Sequence, residues 1–296
     1  MIERIQSAWN KFHSSRFQAQ HDYLEAFQNM KMDILPLLDR SPGSVLVLGC
    51  GYNYPDVVLW SSIAKEVVGL DIRKRFWKDG FWSLYRELRG NRYGRIYSLA
   101  KTWIDRRTCR SYFKQLKSLT PFSFDEQNQN LLSYDGSHLP FPSERFDVVC
   151  SNAVLEHVKP DDLAVLGEEI LRVLKPGGVS HHLWHNYYSL TGSHLPEQTA
   201  RKHAWGHLLG DPEVLRRMKS SSYYLNRLKP EEILASISKG LICKAYYGVD
   251  RNHRKNGLNS EFQYEGEDLF PEVEAKLSDY PKDLLLTRAF LIIGAR

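Results

Sequence analysis

Only four cysteines occur in 296 residues, and no two of them stand as Cys-x-x-Cys. That spacing excludes a disulfide framework and a cysteine zinc site. Cys50 and Cys150 sit inside apolar stretches and read as small buried residues, as expected in a reducing compartment. No run of about 18 apolar residues exists to cross a membrane as a helix. Met1-Ile-Glu-Arg-Ile lacks the apolar region of a secretory signal. The expected location is therefore the cytoplasm, with a peripheral contact at a membrane surface as the alternative. Internal repeats and low-complexity tracts are also missing. At 42% apolar residues, the chain can still bury a sizeable core.

The most informative stretch is Val45-Leu-Val-Leu-Gly-Cys-Gly-Tyr-Asn-Tyr-Pro-Asp56. Val45–Leu48 reads as a strand buried on both faces. Gly49 and Gly51 remove side chains where the chain turns and a ligand approaches. Pro55 suits the first turn of a helix, and Asn53 tolerates positive φ. Such a turn presents main-chain N–H groups to a carboxylate or phosphate. A dinucleotide fingerprint needs a third glycine where Tyr54 stands, and a phosphate loop needs a Gly-Lys-Ser/Thr that does not follow. Val67-Val-Gly-Leu-Asp71 is a second apolar strand ending in a carboxylate 20 residues past Gly51, a spacing suited to ribose hydroxyls.

Further pieces follow in order: Asp135–Pro142, then Phe146-Asp-Val-Val-Cys-Ser-Asn152 leading into Ala153–Val158, which is expected to open a helix, then Leu171–Gly178, where Pro-Gly-Gly is expected to end another. With Val45–Gly51 and Val67–Asp71, this series resembles class I S-adenosylmethionine-dependent methyltransferases, in the branch that includes ubiquinone-biosynthesis-like enzymes. The resemblance covers roughly residues 43 to 186, with an interruption. It implies an α/β, doubly wound, Rossmann-like sheet of seven strands carrying helical insertions, with S-adenosylmethionine as cofactor. The family often has an acid where Val47 stands and a glycine where Asn53 stands. Carried over position by position, the resemblance implies that the Gly49-Cys50-Gly51 turn faces the methionine moiety. Asp71, with Ile72 beside it, binds the ribose. Asp135 accepts from the adenine amino group, with the Gly136 N–H nearby. Ser151 and Asn152 border the transferring methyl. The sulfonium is already activated, so the site mainly aligns a nucleophile with the methyl.

Residues 1–42 are expected to form an N-terminal helical lid, with plain packing against the sheet as the alternative. Ile5, Trp9 and Phe12, and later Tyr23, Phe27, Met30 and Ile34, recur at helical spacing. Residues 43–296 form the methyltransferase domain, with insertions at about 72–128 and 186–228. Strands are expected at 44–49, 66–71, 179–185, 241–249 and 285–293, and a helix at 230–239. Residues 72–118 hold 14 Lys/Arg against 3 Asp/Glu and ten interleaved aromatics, while the whole chain is only +5. This insertion reads as a pair of amphipathic helices with a solvated basic face. The alternatives are a surface for nucleic acid, for an anionic membrane, or for an acidic substrate.

Residues 181–207 hold six of the eleven histidines. The segment from His185 leaves the C-terminal end of a strand, the ligand side of an open α/β sheet. Asn186, Tyr187, Tyr188 and His194 are the candidate substrate residues. His157 and His185 are the candidate general bases, since imidazole titrates near neutral pH. His203 and His207 are four apart, but the HExxH pattern is absent. Quinone-biosynthesis relatives can hold a metal with a glutamate three residues before a Glu-His pair; here that position is Ala153, before Glu156-His157, so no metal is expected. The expected reaction is O-methylation of a small-molecule or glycan acceptor, anionic in one variant. The rivals are an RNA methyltransferase, and a non-catalytic binding protein that uses the basic insertion.

Overall fold

A computed structural model describes residue 15 and residues 17–90, 94–136, 138–220, 224–249, 255–256 and 271–296. The expectation placed on Ile5, Trp9 and Phe12 lies outside these residues. The chain divides into two compact units. One comprises residues 1–136 and 146–148, the other residues 137–145 and 149–296. Strand β4 (Phe146–Asn152) contributes to both.

In the first unit, β1 (Ser44–Leu48) and β2 (Glu66–Asp71) occupy the expected positions. Both are continuous apolar runs and are buried along almost their whole length. β3 (Asn130–Ser133) lies parallel to β2, and β2 parallel to β1, from Ser44 beside Glu66 to Asp71 beside Ser133. The order is β3-β2-β1-β4. Asp147 at the start of β4 accepts bonds from the Gly43 and Ser44 N–H groups at 2.9 and 2.8 Å. Those bonds anchor the entry to β1. Helix α1 (Gln28–Ile34) continues a π-helical turn, His21–Phe27, and the Phe27 ring packs edge-on to Trp60 at 5.4 Å. Helix α2 (Pro55–Trp60) starts at Pro55, as its fixed φ favours.

The basic insertion is largely two helices, α3 (Phe81–Gly90) and α4 (Arg95–Leu119). Its aromatics divide. Phe76, Trp77, Tyr112 and Phe113 are buried, while Trp82 and Trp103 stay exposed. Tyr54 joins the buried group, with its ring 5.8 Å from Phe113 and its hydroxyl donating to the Glu126 carbonyl at 2.7 Å. Arg106 stacks on Trp77 and donates to its carbonyl. The apolar faces make a satellite core for the first unit, and much of the positive charge stays outside it.

In the second unit the order is β4-β5-β8-β6-β7, with β5 (Leu174–His185), β6 (Ile242–Val249), β7 (Lys255–Asn256) and β8 (Ala289–Ala295). β5 pairs antiparallel with β8, and β6 with β8 and β7. Helix α5 (Pro160–Val173) and helix α9 (Pro230–Ile237) pack so closely that a side chain at Gly167 would strike the Ser236 carbonyl. Between β5 and α9 run the short helices α6 (Glu197–Lys202), α7 (Gly206–Leu209) and α8 (Pro212–Ser220). Helices α10 (Pro271–Lys276) and α11 (Lys282–Leu286) precede β8.

The doubly wound seven-stranded sheet is present, with a two-residue eighth strand at its end. Three local expectations need correction. Residues 282–286 are helical rather than the start of the last strand, because Pro281 opens a turn of helix there. β5 runs through Pro176-Gly177-Gly178 rather than starting after it. Gly177 takes φ 76° and donates to the Arg296 carbonyl, which keeps the strand paired. Finally, Ala153–Val158 makes only a 3₁₀ turn at Leu155–His157, and α5 begins at Pro160.

Candidate cofactor cradle and acceptor site

The cradle belongs to the first unit. Gly49 and Gly51 have φ of 62° and 75°, the left-handed region that glycine enters at no steric cost. The third positive φ falls on Tyr54 rather than Asn53, at 38°. Burial of the Tyr54 ring holds that strained backbone in place. Open space lies where a Gly51 side chain would be. Gly69 is the opposite case, since a Cβ there would stand 2.6 Å from Val57 and 3.0 Å from the Cys50 sulfur. Cys50 therefore packs inward, and burial pushes its thiol well above the usual range.

Asp71 ends β2 and is buried. One carboxylate oxygen accepts the Gly51 N–H at 2.7 Å and the other the Arg73 N–H at 2.9 Å. The acid thus shapes the glycine turn and aims its own oxygens. A carboxylate offers about four lone-pair sites, so each oxygen retains capacity for a hydroxyl. Ile72 follows, 74% exposed, an apolar face beside the acid. The Tyr134 N–H donates to the Asp71 carbonyl at 2.8 Å, and this carries the chain on to exposed Asp135 and Gly136. Glycine turn, Asp71, Ile72, Asp135 and Gly136 all belong to this one unit.

The histidine cluster belongs to the second unit. Ser151 and Asn152 end β4. Asn152 is exposed, but the Ser151 hydroxyl points inward to His182 Nδ1 at 2.8 Å. Ala153 then takes φ 56°, and the 3₁₀ turn places Glu156 and His157 side by side. Asn226 clamps this turn. Its amide donates to the Leu155 and Val158 carbonyls at 2.8 and 3.0 Å, and its N–H donates to the Glu156 carbonyl. Glu156 is 2% exposed. Its Oε1 lies 3.2 Å from His185 Nδ1 and 4.0 Å from His194 Nε2. Burial pushes the Glu156 carboxyl up, but its bond and charge contact with His185 hold it below the usual range. His157 Nδ1 lies 2.7 Å from the Tyr224 carbonyl, so this nitrogen carries the proton and Nε2 is the basic one. Glu156, His185, Tyr187, His194, Asn226 and Arg227 line one cleft.

The other expected acceptor residues divide by role. Asn186 is 1% exposed and spends its amide on the Leu284 and Thr287 carbonyls at 2.6 and 2.7 Å, with its oxygen accepting the Tyr188 N–H. It holds the loop that carries the tyrosines. The Tyr188 hydroxyl donates to the Arg227 carbonyl at 3.1 Å. The Arg227 guanidinium sits 5.7 Å over the Tyr187 ring, and burial raises the Tyr187 phenol. His203 and His207 do not converge. His203 pairs with Asp211 at 2.9 Å, whereas His207 bonds the Tyr187 carbonyl at 2.7 Å. Sequence reasoning missed Asn226 and Arg227, which carry no motif. It also missed that His194 meets Glu156 across 38 residues of chain.

Burial depresses three of these histidines: His182 to about 3, and His194 and His207 to about 4. Each stays neutral in the folded state, while the unfolded chain takes up its proton below a pKa of about 6.5. Their stabilising effect is present above that value and is lost as pH falls toward the folded pKa. Asp56 runs the other way, since burial pushes its carboxyl up to about 7. Its stabilisation is present in acid and lost as pH rises through 7. Three histidines against one acid predict a stability loss on the order of 3 kcal/mol between pH 7.5 and pH 5. Urea denaturation at the two pH values measures it. His182→Gln should shrink the loss by more than half, since each histidine contributes about 2 kcal/mol on the same linkage arithmetic.

Residues 111–181 match the family model described as "Methyltransferase domain". The match begins late in α4 and ends in β5, so it spans Asp135 and the Glu156–His157 turn. No curated protein matches. Solved structures align over most of the chain at low identity. A chain of the complex between the Haloferax volcanii Trm112 methyltransferase activator and its methyltransferase aligns at 14% identity and TM-score 0.47, covering 98% of this chain and 96% of that one. An S-adenosylmethionine-dependent methyltransferase from Mesorhizobium loti aligns at 12% and 0.44, covering 88% and 94%. N-methyltransferase NodS from Bradyrhizobium japonicum, in complex with S-adenosylhomocysteine, aligns at 11% and 0.43, covering 97% and 98%. Residues 111–181 thus carry a methyltransferase-domain match on a doubly wound α/β sheet. Among the described residues no helix is long and apolar enough to cross a membrane.

Proposed function

We propose that the protein transfers the methyl group of S-adenosylmethionine to an oxygen of a small-molecule or glycan acceptor. The observation that carries the choice of oxygen is the Glu156–His185 pair, 3.2 Å apart in a tyrosine-lined cleft. Nitrogen and sulfur nucleophiles often need no base, but a hydroxyl holds its proton at neutral pH. Glu156 fixes the proton of His185 on Nδ1 and leaves Nε2 to accept the acceptor's proton. His157 is the second candidate base, with its basic nitrogen set by Tyr224.

In this reading the glycine turn receives the methionine end, Asp71 the ribose hydroxyls, Ile72 the adenine face, and Asp135 with Gly136 the adenine edge. Ser151 acts by bonding His182, and Asn152 offers its amide to the cofactor. Tyr187 and Arg227 recognise the acceptor, and Arg227 favours an anionic one. Asn186 and Tyr188 hold that surface in shape. The location proposed is cytoplasmic.

The test is a panel of phenols, sugars, hydroxy acids and transfer RNA, read by release of S-adenosylhomocysteine. Turnover with a hydroxyl-bearing small molecule or glycan supports the reading. Turnover with RNA alone contradicts it and moves the acceptor surface to the basic helices α3 and α4. Cofactor binding with salt-sensitive RNA or vesicle binding, but no turnover on any acceptor, supports a binding protein instead.

A further inference from the structure

The outward face of α4 is divided along its length. Ile96 and Trp103 are 81% and 51% exposed, and Leu99 lies between them at 41%. Arg107, Arg110, Lys114 and Lys117 continue the same line, and all four are exposed. At about 100° per residue, these seven positions fall within an arc of about 80°. The helix packs through its other side, with Ile104, Cys109, Tyr112, Phe113 and Leu116 buried. Its single acid, Asp105, lies off the stripe and is paired with Lys101 at 2.6 Å. Glu126 meets Lys117 at the far end, so the stripe keeps a net positive charge.

A lone exposed apolar side chain needs no explanation. Three on consecutive turns, continued by four cations, match a surface that is apolar at depth and anionic above. We infer that this stripe of α4 docks the protein on an anionic membrane surface. Ile96, Leu99 and Trp103 enter the interface, and the cations from Arg107 to Lys117 meet the headgroups. Ile96 and Trp103 are about 10 Å apart along the axis, comparable with the 5–10 Å to which interfacial helices sink. A tilt of α4 with its first turns downward brings both halves to their own layer. Tryptophan favours that boundary, and α3 exposes a second one, Trp82, at 65%.

Charge and side-chain type select the bilayer over other partners. Single-stranded nucleic acid is held by aromatic faces alternating with cations. Ile96 and Leu99 have no ring to offer, and the Arg107 guanidinium covers one face of Trp103 at 5.3 Å. A second copy of the stripe would set cations against cations or against apolar side chains. The docking involves the first unit alone and is independent of which acceptor is methylated.

The test is flotation of the full chain with vesicles of phosphatidylcholine alone, and of phosphatidylcholine with about one-third phosphatidylserine. The protein should float with the anionic vesicles only, and added salt should release it. Each cation near such a surface contributes about fivefold in affinity. Arg110→Gln with Lys114→Gln should therefore weaken binding about twenty-five-fold. Arg216→Gln with Lys219→Gln, the same charge change on α8, should leave it unchanged. Leu99→Ser with Trp103→Ser should weaken binding at least tenfold and remove the blue shift of tryptophan fluorescence on vesicle addition. Circular dichroism confirms the fold of each variant, and S-adenosylhomocysteine affinity should stay as in wild type. No preference of the wild-type protein for anionic vesicles overturns the inference, and so does binding that both α4 variants retain. An RNA oligonucleotide that binds more tightly than the vesicles and depends on the same residues also overturns it, as does a dimer that Leu99→Ser with Trp103→Ser dissolves. None of these outcomes touches the methyltransferase reading.

Discussion

Changing His185 to asparagine is expected to lower kcat by about 10²–10⁴-fold, the usual contribution of a positioned base. The affinity for S-adenosylhomocysteine should stay within a factor of three, because His185 is proposed to act on the acceptor's proton rather than on the cofactor. Asparagine keeps the size of the side chain and can still donate to Glu156, but it cannot take a proton near neutral pH. Most of the rate should therefore disappear. Glu156→Gln should act through the same imidazole. It removes the acceptor that fixes Nδ1–H, so it should lower kcat while leaving KM for S-adenosylmethionine nearly unchanged. If His185→Asn keeps kcat within threefold, His185 is not the base and His157 becomes the candidate.

Asp71→Ala is the second large effect. In the proposed reading the carboxylate gives its remaining lone pairs to two ribose hydroxyls, and charged hydrogen bonds contribute about 1.5–3 kcal/mol each. Loss of both corresponds to at least a hundredfold weaker S-adenosylhomocysteine binding, since about 1.4 kcal/mol is tenfold. Alanine also leaves the Gly51 and Arg73 N–H groups without their acceptor, so the glycine turn loosens as the ribose partner goes. Asp71→Asn separates the two contributions. Its amide oxygen can hold Gly51 but cannot serve both hydroxyls, and its affinity should fall between those of wild type and alanine. Calorimetry on protein whose circular dichroism is unchanged makes the measurement. Unaltered affinity would remove Asp71 from the cofactor site.

The first two strands were legible to within a residue. Val45–Leu48 and Val67–Asp71 are continuous apolar runs bounded by turn residues, the signature of strands buried on both faces. The same criterion misled at Leu284-Leu285-Leu286. A short apolar run does not distinguish a buried strand from a buried helical turn, and Pro281 settles it as helix. The Pro-Gly-Gly before Val179 read as a stop, although Gly177 instead lets the strand bend and stay paired with Arg296. In the basic insertion, charge and aromatic content were plain from the sequence. Which aromatics face inward depends on α4 packing near Tyr54, and no local pattern records that.

The site shows the same division. Asp71 was singled out by its spacing from Gly51, and the structure adds a bond the sequence did not show, from the Gly51 N–H to its carboxylate. Ser151 and Asn186 were chosen for position, and their polar groups prove to be committed to His182 and to the 284–287 segment. His194 and Glu156 are far apart in sequence and meet only because Asn226 pins the turn after β4 while His194 lies beyond the end of β5. Contacts of that kind come from topology and not from any local sequence pattern.

The central claim is that the cradle of Gly49, Gly51, Asp71 and Asp135 holds the nucleoside of S-adenosylmethionine. Calorimetric titration of the wild-type protein with S-adenosylhomocysteine tests it most directly. The account predicts saturable binding of one equivalent with micromolar or tighter affinity, corresponding to about 8 kcal/mol. No binding at millimolar ligand, in protein shown to be folded, would contradict it.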